Sequence, residues 1–309
     1  MRHRIEYWAV AAVRAFVRLL PMRAVRAAGT VLGLLFYTID RVHRRVADTN
    51  LATAFPNRSA QERRALTREM FGHFGRVLFE LLKFSTLDRD QMLRRVEFEG
   101  EDRARAAYAQ GRGVLFFTGH FGYWEIHAMV HGLRLEPIAV LARALDNPAL
   151  HDLLERVRTS TGNSVIYRNG AVRKVLRVLQ GRRGIAMLID QHLHSPDAIY
   201  VDFFERPAAT TSMLAALALR TGAPVVPVFA LPLPNGRYRM VYEHAVDPPA
   251  ADTPDAIRAF TQRCTDVLEM YVRRHPALWL WMHRRWRDVP LPETTPGMFP
   301  PARADEQEA

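Results

Sequence analysis

Apolar positions along this chain recur with two periods. From Ala60 to Phe84 the spacing is helical: Met70, Phe71, Phe74, Leu78 and Leu81 form a stripe, Ser59 or Asn57 can cap it, and Glu62 falls in the first turn. A charged helix follows from Glu101 to Gln110 and stops at Gly111. Short apolar runs bounded by Gly, Pro or polar residues then read as buried strands at Val114–Phe117, Pro137–Leu141, Ser164–Tyr167, Ile185–Ile189 and Val225–Ala230. Arg237–Tyr242 follows a Pro-Asn-Gly turn and reads as a further strand. Helical stretches separate them: one from near Tyr123, then Pro148–Thr161, Ala171–Gln180, Thr211–Thr221 and Pro254–Arg274. This alternation predicts an α/β fold with a largely parallel central sheet flanked by helices. No repeat, low-complexity segment or linker divides the body of the chain.

The N-terminal pattern is different. Trp8 to Ile39 is mostly apolar but is broken by Arg14, Arg18, Arg23 and Arg26, and its longest uncharged run, Ala27–Ile39, falls short of the ~20 residues a spanning helix needs. The same arginines interrupt any signal-peptide core. The pattern fits amphipathic helices lying in a membrane interface. Trp8, Val13, Phe16, Val17 and Leu20 are expected on one face, and Pro21 starts a second helix carrying Leu32, Leu34, Leu35, Phe36 and Tyr37. The expected organisation is membrane-associating helices over 1–40, one catalytic unit over 41–289, and a loose tail over 290–309, where Pro, Glu, Thr and Ala dominate without apolar period.

Composition narrows the partners. Across 309 residues, 43 basic against 32 acidic side chains give a net charge of +11, almost all of the base being Arg. Such a surface suits an anionic membrane, an acidic carrier or nucleic acid. No zinc-finger spacing, RNP-type motif or purely basic helix supports the last, so no nucleic acid is expected. One cysteine, Cys264, provides neither a disulfide framework nor a Cys-based metal site.

The chemistry concentrates in Val114-Leu-Phe-Phe-Thr-Gly-His-Phe-Gly-Tyr-Trp-Glu125, where a buried strand runs into a Gly-flanked turn and then a helix. Polar residues at the carboxyl end of such a strand are where α/β sites form. On one continuous helix His120 and Glu125 would diverge by about 140°. They meet only if His120 lies in the turn and Glu125 in the first helical turn, a bend that Gly119 and Gly122 permit. A His near neutral pKa can then take a proton from a hydroxyl, an acid on its other nitrogen fixes the tautomer, and the helix N-terminal amides can hold an oxyanion.

This segment resembles the His-four-residues-acid motif of the glycerolipid acyltransferase superfamily. More closely it resembles the bacterial lipid A late acyltransferases (lauroyl and myristoyl transferases), which write Gly-His-Phe-Gly-Asn-Trp-Glu. Later blocks are similar to that family in the same order: Ala142-Arg-Ala-Leu-Asp-Asn-Pro148, Ala186-Met-Leu-Ile-Asp-Gln191, Val201-Asp-Phe-Phe-Glu-Arg-Pro207 with Thr210, Thr221-Gly-Ala-Pro-Val-Val-Pro227 and Trp281-Met-His-Arg-Arg-Trp286. Tyr123 departs from the family's Asn, and Glu205 from its Gly; the residues after Asp190-Gln191, His192-Leu193-His194, also depart from the family pattern.

The resemblance implies an acyltransferase at the cytoplasmic face of the bacterial inner membrane, peripheral or monotopic. It would take an acyl group from acyl carrier protein or coenzyme A to an anionic lipid acceptor, a lipid A precursor, without cofactor or covalent enzyme intermediate. His120 is then the general base and Glu125 its orienting acid, and Gly122 gives backbone access to the reacting carbonyl. Arg143 and Arg168 each follow an expected strand and can bind phosphate in a shared crevice. Asp190 ends a strand as a partner behind the site, while Asn147 and Thr210 read as structural. One rival reading is an acyltransferase for another polar lipid, such as a glycolipid, an aminolipid or phosphatidylinositol mannoside. A more distant one is a metal hydrolase using His127 and His131, spaced i, i+4, with His192 and His194; the helix lacks the Glu that such motifs place after the first His.

Overall fold

A computed structural model of the chain describes residues 2–167, 170–195 and 198–287. The tail expected over 290–309 and the candidate Arg168 lie outside them.

Four helices open the chain: α1 (Arg2–Leu19), α2 (Met22–Ile39), α3 (Arg41–Ala54) and α4 (Ala60–Phe84). Ser59 and Glu62 form a reciprocal capping box at the start of α4, as their spacing predicts. A short helix α5 (Arg89–Leu93), strand β1 (Val96–Glu99) and α6 (Glu101–Ala109) lead into the α/β body. The body continues β2 (Val114–Thr118), α7 (Trp124–Arg134), β3 (Ile138–Ala142), α8 (Pro148–Thr159), β4 (Ser164–Tyr167), α9 (Ala171–Gln180) and β5 (Gly184–Leu188). A hairpin β6 (Ala198–Asp202) and β7 (Pro207–Thr211) follows, then α10 (Met213–Thr221), β8 (Val225–Leu233), β9 (Arg237–Tyr242) and α11 (Pro254–Arg274).

The seven-stranded sheet has the order β1-β9-β8-β2-β5-β3-β4. Its pairings are parallel except β8 with β9. Side chains alternate across β2. Leu115 and Phe117 face a core with α9, α10 and α11, while Val114 and Phe116 face α6 and α7. β2 is central and buried throughout, so its run is continuously apolar rather than alternating.

The helical bundle corrects the expected N-terminal face. Val17 is buried and Val13 and Leu20 are partly buried against Met22, Val25, Phe79 and Leu82. Trp8 and Phe16 are exposed, with Ile5 and Leu19. At about 100° per residue, Ile5, Trp8, Phe16 and Leu19 form one stripe and Val13, Val17 and Leu20 another, so α1 carries two apolar faces. α2 is long and apolar enough to cross a membrane by length and composition, yet one side of it lies on α4. A Cβ on Gly29, Gly33 or Gly75 would overlap the facing backbone, so glycine sets the closeness of α2 to α4.

Candidate active site

Adjacent parallel strands build the site. Thr118 of β2 is in register with Leu188 of β5, so the residues two beyond each strand end, His120 and Asp190, emerge side by side. Asp190, only 3% exposed, accepts from the His120 amide at 2.6 Å and from the His120 ring at Nδ1, 2.9 Å. The Trp279 indole donates to the same carboxylate at 2.8 Å. A side chain on Gly119 would press on this carboxylate, which explains the glycine before the histidine. Opposite, residues 278–280 zip onto the turn: Gly122 donates to the Leu278 carbonyl at 2.8 Å, and Leu280 donates to the His120 carbonyl at 3.1 Å.

Charge around His120 follows from this geometry. Burial disfavours protonation, but the Asp190 charge and hydrogen bond, with the more distant Glu125, outweigh it and raise the His120 pKa above its ordinary 6.5. Burial alone would raise Asp190. The His120 charge and three hydrogen bonds overcome that and hold the acid at about 2. Asp190 is therefore ionised at neutral pH. The Nδ1–H tautomer follows from the hydrogen-bond network, leaving Nε2 unprotonated toward the partly open side, where it accepts from the Gln191 side-chain amide at 3.3 Å.

Glu125 takes a different place from the one expected of it. It lies in the first turn of α7, as the bend requires, but its carboxylate is gripped by Arg158 of α8, with Nε at 2.9 Å from Oε2 and Nη2 on Oε1. The hydrogen-bond partner of His120 Nδ1 is Asp190, and Glu125 acts on His120 through its charge. Arg158 has no distinguishing signal in the sequence. It is one arginine on an amphipathic helix in an arginine-rich chain.

The remaining candidates separate. Gly122 has φ +57, and a Cβ there would overlap the Ala230 carbonyl; its amide is used by Leu278. This glycine serves the close approach of β8 rather than access to a reacting carbonyl. Arg143 has a side chain 91% exposed beside an equally exposed Asp146, so it is not brought to His120. Asn147 caps α8 through the Ala149 and Leu150 amides and donates to the His3 carbonyl and to Glu6, tying α1 to the body. Thr210 accepts from the buried Arg285 at 2.6 Å. Both are structural, as their sequence context implies.

Two of the departures from the family pattern also have a structural logic. Tyr123 is buried and donates to Glu80 of α4 at 3.1 Å, where Tyr238 also donates and Arg26 lies 3.5 Å away. It anchors the His120 turn to the helical bundle. Glu205 sits at φ +60, the left-handed region that favours glycine.

The paired histidines are not poised for metal. Both nitrogens of His131 are taken, by Tyr108 at 3.0 Å and Tyr242 at 2.9 Å. Among the described residues no group of three or more His, Cys, Asp or Glu is placed to hold an ion. No side chain caps α7, which leaves amides of its first turn without a side-chain acceptor, and the ring of its first residue, Trp124, lies 5.3 Å from that of His120.

Comparison with known proteins finds relatives along most of the chain. The family model of the bacterial lipid A biosynthesis acyltransferases matches residues 1–288. The lipid A biosynthesis lauroyltransferase of Escherichia coli K12 is 27% identical over 88% of this chain and 88% of its own. The lipid A biosynthesis myristoyltransferase of the same strain is 26% identical over 89% of this chain and 84% of its own. A phosphatidylinositol mannoside acyltransferase of Mycobacterium tuberculosis H37Rv is 27% identical over 69% and 67%. The crystal structure of a 1-acyl-sn-glycerophosphate acyltransferase from Thermotoga maritima covers 80% of this chain and 97% of its own at 17% identity and a TM-score of 0.37. With its family profile matched from the first residue to 288, this chain is an acyltransferase and belongs to the bacterial lipid A biosynthesis acyltransferase family.

Proposed function

We propose that the protein transfers a fatty acyl group from a thioester, on acyl carrier protein or coenzyme A, to a hydroxyl of a lipid A precursor. His120 is the general base. The acceptor oxygen attacks the thioester carbonyl carbon as its proton passes to Nε2. The new C–O bond forms, the C–S bond breaks, and the proton returns from Nε2 to the leaving sulfur, which departs as a thiol. Asp190 holds the ring in the Nδ1–H tautomer and offsets the imidazolium charge, Trp279 and the Gly119 turn position Asp190, and Glu125 with Arg158 shapes the charge beside the ring. The tetrahedral oxyanion is stabilised by the amides of the first turn of α7, a role supported by the lack of a side-chain cap there. The single observation that carries this reading is the His120–Asp190 pair, a base with one nitrogen fixed by a buried carboxylate and the other at the accessible side.

The acyl chain enters the cavity beneath α7, whose lining includes Trp124, Phe116, Ile138 and Val140. The N-terminal helices rest on the cytoplasmic face of a bacterial inner membrane. In support of this, Ile5, Trp8, Phe16 and Leu19 of α1 and Val31, Leu35, Phe36 and Ile39 of α2 are exposed. The basic surface, at +11 overall, suits an acidic carrier and an anionic lipid.

The test incubates the purified protein with labelled acyl-carrier-protein thioester and a tetra-acylated, Kdo-bearing lipid A precursor, beside a His120→Ala variant. The expected product gains one acyl group with wild type only. Transfer to a different polar lipid instead would keep the mechanism and replace the acceptor, in the direction of the mannoside acyltransferase likeness. Equal activity in the variant would remove His120 from the chemistry.

A further inference from the structure

The cavity under α7 is not a plain hydrocarbon slot. Its partly exposed end is formed by Trp124, Glu125, Arg158 and Leu188, next to His120, and its buried end by Phe116, His127, His131 and Ile138. From residue 124 to 131 the helix wall is about 10 Å long at 1.5 Å per residue. Several polar groups line this wall, and most are already satisfied. Glu125 and Arg158 hold each other, and His131 is held at both nitrogens by Tyr108 and Tyr242. Two are not. Thr118 Oγ1 and His127 Nε2 are buried in the lining with no hydrogen-bond partner in the protein. Their residues are 8% and 4% exposed.

A buried polar atom without a partner is costly, and a pocket meant for a saturated chain has no reason to hold two. Burial drives the His127 pKa down to about 3, so the ring is neutral and suits an uncharged oxygen rather than an anion. Their position matters too. Thr118 is two residues before the base, and His127 lies one helical turn beyond Trp124, whose ring centroid is 5.3 Å from that of His120. A group bonded there belongs to the first few carbons after the thioester. At about 50 Å³ the cavity admits only the head of a chain as its side chains stand, and a longer tail requires lining side chains such as the adaptable Met187 to move.

Building on the acyl-transfer reading above, we propose that the donor pocket is built for a hydroxylated acyl chain, its hydroxyl near the thioester end bonding to His127 Nε2 and Thr118 Oγ1. That hydroxyl takes no part in the transfer. It selects the chain. The metal reading of His127 and His131 is thereby replaced by a specificity role for one of them and a rigid structural role for the other.

The test uses dodecanoate, 2-hydroxydodecanoate and 3-hydroxydodecanoate as probes, matched in length, bound to the full chain by calorimetry. One hydroxy acid is expected to bind about tenfold tighter than dodecanoate, the worth of one hydrogen bond in a buried site. Thr118→Val removes only the hydroxyl, and His127→Phe keeps a ring against Tyr242. Each is expected to bring the hydroxy-to-plain ratio toward one, with unchanged circular dichroism as the check on folding. The same ratio is then read in transfer from the three corresponding acyl-carrier-protein thioesters in competition. Equal binding of all three acids to wild type, or a ratio that neither variant alters, overturns the proposal and leaves a pocket whose polar groups are served by water. Hydroxy-acid preference that depends on His127, with no transfer to any lipid A precursor, would uphold the pocket and overturn the acceptor assignment.

Discussion

Replacing Asp190 with Asn is the sharpest way to ask which acid serves His120. The carboxylate takes three donors. Oδ2 accepts from the His120 amide at 2.6 Å and the Trp279 indole at 2.8 Å, and Oδ1 from His120 Nδ1 at 2.9 Å. Asn has one acceptor oxygen and one NH2 group. Turned so that its oxygen replaces Oδ2, it keeps two of the three bonds and points NH2 at the ring. Turned the other way, it keeps one bond and sets NH2 against two donors. The first orientation wins, by about 1 kcal/mol or more for the additional bond. In that orientation Nδ1 must accept, the proton moves to Nε2, and the base becomes a donor. The expected loss in kcat/KM is about 10³- to 10⁴-fold, the scale seen when a catalytic His is locked in the wrong tautomer. The cost to folding should stay within about 1–3 kcal/mol. The assay is acyl transfer under kcat/KM conditions, with thermal melting alongside. In Glu125→Gln the Asp190 bond survives, so its loss should be smaller. An Asp190→Asn enzyme within tenfold of wild type, beside an inactive Glu125→Gln enzyme, would refute the assignment of the orienting role to Asp190.

Three further outcomes are expected. With His120 as the proposed general base and its pKa raised, kcat/KM should climb with pH to a midpoint above 6.5, and Glu125→Gln should move that midpoint down by removing one of the charges that raise it. The stability difference between wild type and Asp190→Asn should be largest between pH 3.8 and 6.5: the depressed Asp190 contributes above 3.8 and loses its share as pH falls through about 2, whereas the raised His120 contributes below 6.5 and loses its share as pH rises through its folded pKa; melts across this range read it. Glu205→Gly should raise the melting stability by roughly 0.5–1 kcal/mol, because it relieves a left-handed backbone and sacrifices only an exposed contact to Arg273 at 3.6 Å.

The turn that carries His120 is legible in the sequence because strand, glycine, histidine and helix are contiguous there. Each strand of the parallel core was also visible as an apolar run. The His120–Asp190 bond was less accessible. The two residues meet because β2 and β5 are neighbours in the sheet, and strand order is a property of the folded sheet that no local period carries. Glu125, five residues from the base, therefore looked like the obvious partner, while the helix that supplies Arg158 to neutralise it lay out of local view. β1 was missed because Val-Glu-Phe-Glu is four residues at an edge, and the β6–β7 hairpin because its strands are short and β7 begins with Pro207. On α1 an apolar residue can turn to α4 or away from it, and composition alone does not choose.

The clasp of residues 278–280 over the His120 turn has a temporal consequence. During synthesis His120 and Asp190 emerge long before Trp279, and until the far segment arrives the carboxylate lacks the indole hydrogen bond, the Gly122 amide lacks the Leu278 carbonyl and the His120 carbonyl lacks the Leu280 amide. A partly made chain thus carries the base without its full support. The support of the Asp190 carboxylate is therefore completed only after the strands that bring it beside His120 have all been made.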